Sequence, residues 1–169
     1  MSSQAEERPT RTTDYTPSEW RLLVELPELV VIAATSAEAD GMRRTVDEGM
    51  AGDRGIESGT HSDSPLVRKV AAELWTDDDT GTPQPTAVEF NDRAKGLADT
   101  LAKARRAATV LAAKAAPADA RAYTEWVSRI AEVVCGAAKS GGFLGIGGES
   151  VSPAERRFLT SLSDALAGR

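Results

Sequence analysis

Phe90, Ala94, Leu97, Leu101, Ala104, Ala108, Leu111 and Ala115 follow one another at steps of four and three. Only a helix brings such positions onto one face, because a strand would need apolar residues at every second position. The stretch 87–115 therefore reads as one long helix with a continuous apolar seam. Beyond Pro117 the same rhythm returns at Tyr123, Val127, Ile130, Val134 and Ala137, which predicts a second helix over 118–139. A connection this short favours antiparallel neighbours with facing seams. The expected fold is all-α, a bundle of five to six helices around that long antiparallel pair. Aromatic residues make up only 5% of the chain, so alanine and the aliphatics must fill the core.

The flanking segments carry their own start signals. Residues 1–13 show no hydrophobic period and read as a disordered tail ahead of a single domain over 14–169. Thr16-Pro17-Ser18-Glu19 is a capping box, with proline where a missing N–H costs nothing and with Tyr15 and Trp20 at the staple positions. The helix it opens runs over 16–34, and Pro27 within it predicts a kink or a break near Leu26. A second helix is expected over 41–51. The glycine-rich stretch 52–63 then reads as a mobile loop. Ser64-Pro65 opens a helix over 64–75, and the acidic, proline-containing stretch 76–85 reads as a linker. Thr86 and Glu89 form a further box for the long helix. Ser152-Pro153-Ala154-Glu155 repeats the first box and opens a last helix over 152–167.

Charge narrows the function classes. The net charge is −6, which argues against nucleic acid or an anionic membrane as the main partner. With no apolar run of 18 residues and no charged-then-apolar leader, the chain reads as cytosolic. Residues 89–115 nonetheless hold six bases against three acids, a surplus of +3, while 36–80 hold five against eleven. The bland account is two faces attracting each other within one fold; the sharper one is a basic docking face. The single cysteine, Cys135, excludes an internal disulfide and a cysteine zinc cluster.

A helix ending in Ala137, Ala138 and Ser140, a glycine turn, then Val151-Ser152-x-x-Glu155 and a Leu/Phe-patterned helix resembles the tellurite-resistance TerB-like domains. The start Thr16-Pro17-Ser18-Glu19-Trp20 and the Gly-Gly-Phe-Leu-Gly run from Gly141 are similar to those of a group of bacterial helical proteins. The resemblance implies a helical fold and a stress-associated role. In TerB-like domains the turn usually carries an Asp-Gly linked to metal or stress complexes. Here that turn reads Lys139-Ser140-Gly141-Gly142, and Asp-Gly occurs instead at Asp40-Gly41.

No residue set identifies a reaction. The glycine loop 141–148 lacks the Lys-Ser/Thr ending of a phosphate loop and is followed by Glu149. Asp77, Asp78 and Asp79 with Glu89 miss the calcium-loop pattern, since Pro83 stands where that loop needs glycine. His61, the one imidazole, lies among Ser58, Ser62, Asp63 and Ser64 in the segment read as a loop, a poor scaffold for a hydrolytic triad. Glu125 and Glu132 read as surface carboxylates beside Arg121 and Arg129. Trp20, Trp75 and Trp126 read as core anchors. The leading expectation is a non-enzymatic interaction module without a cofactor, contacting a protein partner or a second copy. Its contact residues are Phe143, Leu144 and Ile146, supported by Lys103, Arg106 and Lys114. Incompletely covered Leu97, Leu101 and Leu111 would be a seam for self-association. The alternative is a small-ligand or metal pocket between helices, anchored by Asp40, Asp47 or Glu48.

Overall fold

The computed structural model describes residues 11–38, 42–78, 90–137 and 151–169, with the backbone alone at 42–47 and 75–78. Among the described residues there are six α-helices and no strand: α1 (Pro17–Ser36), α2 (Met42–Ser58), α3 (Pro65–Asp78), α4 (Arg93–Lys114), α5 (Pro117–Ala137) and α6 (Pro153–Leu166). The fold is an all-α bundle. No helix among the described residues is long and apolar enough to cross a membrane.

Two helix starts form as their sequences require. Thr16 Oγ1 accepts the Glu19 N–H at 3.3 Å while Glu19 Oε2 accepts the Thr16 N–H at 2.7 Å. Ser152 and Glu155 do the same at 3.1 and 2.6 Å. Each box satisfies two amides that a bare helix end leaves open, worth about 1 kcal/mol. Tyr15 and Trp20 staple the first box, with ring centroids 5.8 Å apart. Within the stretch expected as a tail, Thr12–Asp14 forms a 3-10 turn closed by the Arg11 N–H on Asp14, and residues 1–10 lie outside the described residues.

Pro27 does not break α1, which runs continuously to Ser36. A proline in mid-helix removes the N–H that residue i−4 should accept, here leaving the Leu23 carbonyl without its helical donor. The Tyr123 hydroxyl fills that vacancy, donating to Leu23 O at 2.7 Å from a fully buried position on α5. A hydrogen bond across the core thus repairs the defect that the proline creates.

The expected loop at 52–63 is a correction. Helix α2 continues to Ser58 and closes in a 3-10 turn at Gly59–His61. The glycines that suggest a loop are its packing face. A Cβ on Gly59 would lie 2.6 Å from the Trp126 indole, and one on Gly52 would lie 2.5 Å from Val31. Gly55 sits against Ile130 and Val133, so α2 runs antiparallel to α5 at close range. Glycine's cost in a helix, roughly 0.5–1 kcal/mol each, is offset by backbone approach that larger side chains would forbid. Trp126 fastens the contact, its indole N–H donating to Gly55 O at 3.0 Å.

The long pair at 87–115 and 118–139 is also corrected as the centre of the bundle. Helix α4 lies mainly against α1 and α6 and touches α5 only slightly, whereas α5 packs on α2 and α1. The centre is therefore α1 with α5. Accordingly α4 buries Thr100, Ala104, Ala107 and Leu111, while Leu97, Leu101 and Ala108 are half-covered. Its seam is turned by about one residue because two neighbours flank it. The helix also begins at Arg93, where Asp92 accepts the Lys95 N–H at 3.0 Å, and not at 87. The Thr86/Glu89 box lies outside the described residues. Phe90, expected as the first residue of the seam, instead precedes the helix and folds over Gly96, where a Cβ would meet its ring at 2.1 Å.

Candidate functional site

Helices α1 and α4 leave a shallow open groove of about 480 Å³ between them. Its apolar floor is Leu29 from α1 together with Phe90, just ahead of α4, and Gly96 in its first turn, and its rim carries Asp92, Lys95, Asp99, Lys103 and Arg106. The spacing on α4 explains the rim: residues 95, 99, 103 and 106 recur at steps of four, four and three, which places them along one side of a helix. The Phe90 N–H is held by Ser36 Oγ at 3.2 Å, and this bond ties the floor to the end of α1. Thr100, the buried hydroxyl of the lining, is satisfied internally by Gly96 O at 2.9 Å.

Two rim cations have partners. Lys95 pairs with Asp99 one turn on, and that carboxylate holds the ammonium above its usual range. Lys103 reaches Glu25 of α1 at 3.7 Å. Arg106 is exposed and makes no ion pair among the described residues. The third cation of the expected stripe, Lys114, lies elsewhere, donating to Glu19 Oε2 at 2.5 Å. That oxygen accepts the Thr16 N–H as well, and the Lys114 bond followed by the Thr16 bond pulls the Glu19 carboxyl down to about 2. The basic surplus on α4 is thus answered in part by Glu25 and Glu19 of α1.

Neither the protein-family models, nor the curated proteins, nor the solved structures contain a match to this chain. The site must therefore be read from its own geometry.

The remaining expected residues fall as follows. Phe143, Leu144 and Ile146 lie outside the described residues, as do the whole glycine loop 141–148, Asp79 and Glu89. Asp40 lies outside them too, and at Asp47 only the backbone is described. Glu48 is buried on α2. Among the described residues no group of three or more His, Cys, Asp or Glu side chains is placed to hold a metal ion. His61 is exposed on the 3-10 turn, its Nδ1 2.9 Å from Thr60 Oγ1. Cys135 is fully buried. Trp20 is half-buried and donates to Glu73 of α3 at 2.7 Å, so both it and Trp126 cross-link helices through their indole N–H groups. The side chain of Trp75 lies outside the described residues.

A second polar cluster had no signal in the sequence. Ser64 Oγ, at the start of α3, donates to the buried Asp119 carboxylate at 2.5 Å and accepts the Val67 N–H at 3.3 Å. One serine thereby caps α3 and fastens it to the first turn of α5. The Tyr15 hydroxyl is buried there without a hydrogen-bond partner among the described residues. Burial first, and then the Asp119 charge, push that phenol up to about 12. Ser64-Pro65 announced a cap; that the cap would be shared with a carboxylate 55 residues away was not encoded locally.

Proposed function

We propose that this chain is a non-enzymatic helical interaction module of the cytosol, and that the α1–α4 groove receives an amphipathic, acidic segment of a partner protein. The observation that carries this reading is Arg106: an exposed guanidinium without an ion pair among the described residues, at the rim of a floor made by Leu29 and Phe90. Such a combination suits a segment that offers one apolar side chain to the floor and a carboxylate to the guanidinium, which binds carboxylates in a two-pronged geometry. Lys95 and Lys103 extend the positive rim, and their surface pairs are weak enough to exchange. The TerB-like features of the sequence extend the proposal to a stress-associated assembly, with Phe143, Leu144 and Ile146 as further contacts.

The test places a photo-crosslinking amino acid at Ala102, an exposed groove position, in the producing cells. One dominant adduct, whose captured segment is acidic and which is lost on Arg106→Glu at unchanged melting temperature, is expected. An adduct indifferent to Arg106→Glu, or none, overturns the reading.

A further inference from the structure

Helix α5 has an outward ridge that the groove above does not use. Arg121, Glu125, Arg129 and Glu132 are all exposed on it, and their order is positive, negative, positive, negative. Turned end for end, that order becomes its own complement. If a second α5 lies antiparallel across a two-fold axis near residues 126–127, Arg121 faces Glu132 of the second copy and Glu125 faces its Arg129. The centres of those two pairings differ by half a residue, about 0.8 Å along a helix, which long side chains absorb. Laid parallel and in register, the same ridge would set arginine on arginine and glutamate on glutamate.

The ground around the ridge suits close approach. Glu125, Arg129 and Glu132 themselves line an open groove of about 640 Å³, whose other walls include the small side chains of Ala122 and Ser128 and the larger Trp126. The in-chain pair Arg129–Glu132 is long, at 3.8 Å, with the side chains 72% and 56% exposed, so both are available for exchange. We infer that the α5 ridge is a self-docking surface, and that its occupant is a second copy of this chain bound antiparallel through Arg121–Glu132 and Glu125–Arg129 pairs. The arrangement is isologous: each pair occurs twice and the assembly closes at two. Its contacts are polar and salt-screened, so the dimer is concentration-dependent and weakened by salt. It uses a different helix from the α1–α4 groove, so either reading can fail alone.

The experiment is sedimentation velocity on the full chain over a concentration series at low salt, with circular dichroism confirming native helix content. Wild type is expected to show a monomer–dimer equilibrium, and Glu125→Arg and Arg129→Glu are each expected to weaken it roughly ten-fold or more by facing like charges. Mixing the two variants should restore a dimer, because every facing pair is then opposite in sign; so should the double variant E125R/R129E on one chain. A wild type monomeric at every concentration, single variants that dimerise as wild type does, or a mixture that stays monomeric overturns the inference.

Discussion

The bond from Tyr123 to the Leu23 carbonyl gives the sharpest test of how this bundle holds together. Pro27 denies Leu23 O its helical donor, and the Tyr123 hydroxyl supplies a replacement at 2.7 Å in a fully buried site. Tyr123→Phe keeps the ring and removes the donor, leaving a buried carbonyl with neither helix nor water to satisfy it. That costs about 1–3 kcal/mol, equivalent to a fall in Tm of roughly 4–8 °C at the middle of that range. Pro27→Ala restores an N–H at the position from which the helix would bond Leu23 O. In that background the carbonyl stays satisfied when Tyr123 becomes phenylalanine, and the same substitution should cost only about 0.5–1 kcal/mol. The cycle of wild type, Y123F, P27A and the double variant, read by urea unfolding with circular dichroism, should show a coupling of about 1–2 kcal/mol. The sign of P27A alone does not matter, since the loss of its buried ring cancels in the cycle. Additivity to within about 0.5 kcal/mol would refute the repair of the proline defect by Tyr123.

Gly59→Ala would drive a Cβ to 2.6 Å from the Trp126 ring, which its own bond to Gly55 O pins, and should cost about 1–3 kcal/mol. Gly55→Ala, whose nearest neighbour would be Ile130 at 3.2 Å, should cost clearly less because helix propensity offsets the contact; chemical denaturation of the two variants gives the ranking. Ser64→Ala removes both the cap of α3 and the donor to Asp119, for a loss of about 1–3 kcal/mol, and it should be strongly non-additive with Asp119→Ala in the same assay. The Glu19 carboxyl is held at about 2 against an ordinary 4.5, so its contribution is complete above 4.5 and is lost as pH falls towards 2. The Tm difference between wild type and Glu19→Gln should accordingly shrink across that window, and a difference independent of pH would count against the Lys114–Glu19 pairing as its source.

Much of the fold was legible because its signals are local. The two boxes at Thr16/Glu19 and Ser152/Glu155 involve atoms within one helical turn, and both form as written. The inward faces of α3 and α6 follow their period, with Leu66, Val67, Val70, Phe158 and Leu162 all buried. Glycines misled where their role is tertiary: Gly52, Gly55 and Gly59 look like loop residues until Val31, Ile130 and Trp126 are seen against them. Of the candidate site, Lys103 and Arg106 were visible as a basic face. Their apolar floor was not, because Leu29 and Phe90 lie on different segments and meet only when α1 packs on α4.

The sequence by itself determined that the chain is helical, where α1 and α6 begin and which faces of α3 and α6 turn inward, since turn-to-turn hydrogen bonds and a 3.6-residue period are set within a few positions. Only the tertiary structure decided that α5 packs on α1 and α2 and not chiefly on α4, and that Lys103 and Lys114 are answered by Glu25 and Glu19. It also decided that Tyr123 serves a carbonyl one hundred residues away. Those outcomes depend on shape and volume matched between distant segments: a seam states that a face must be covered, and packing selects what covers it.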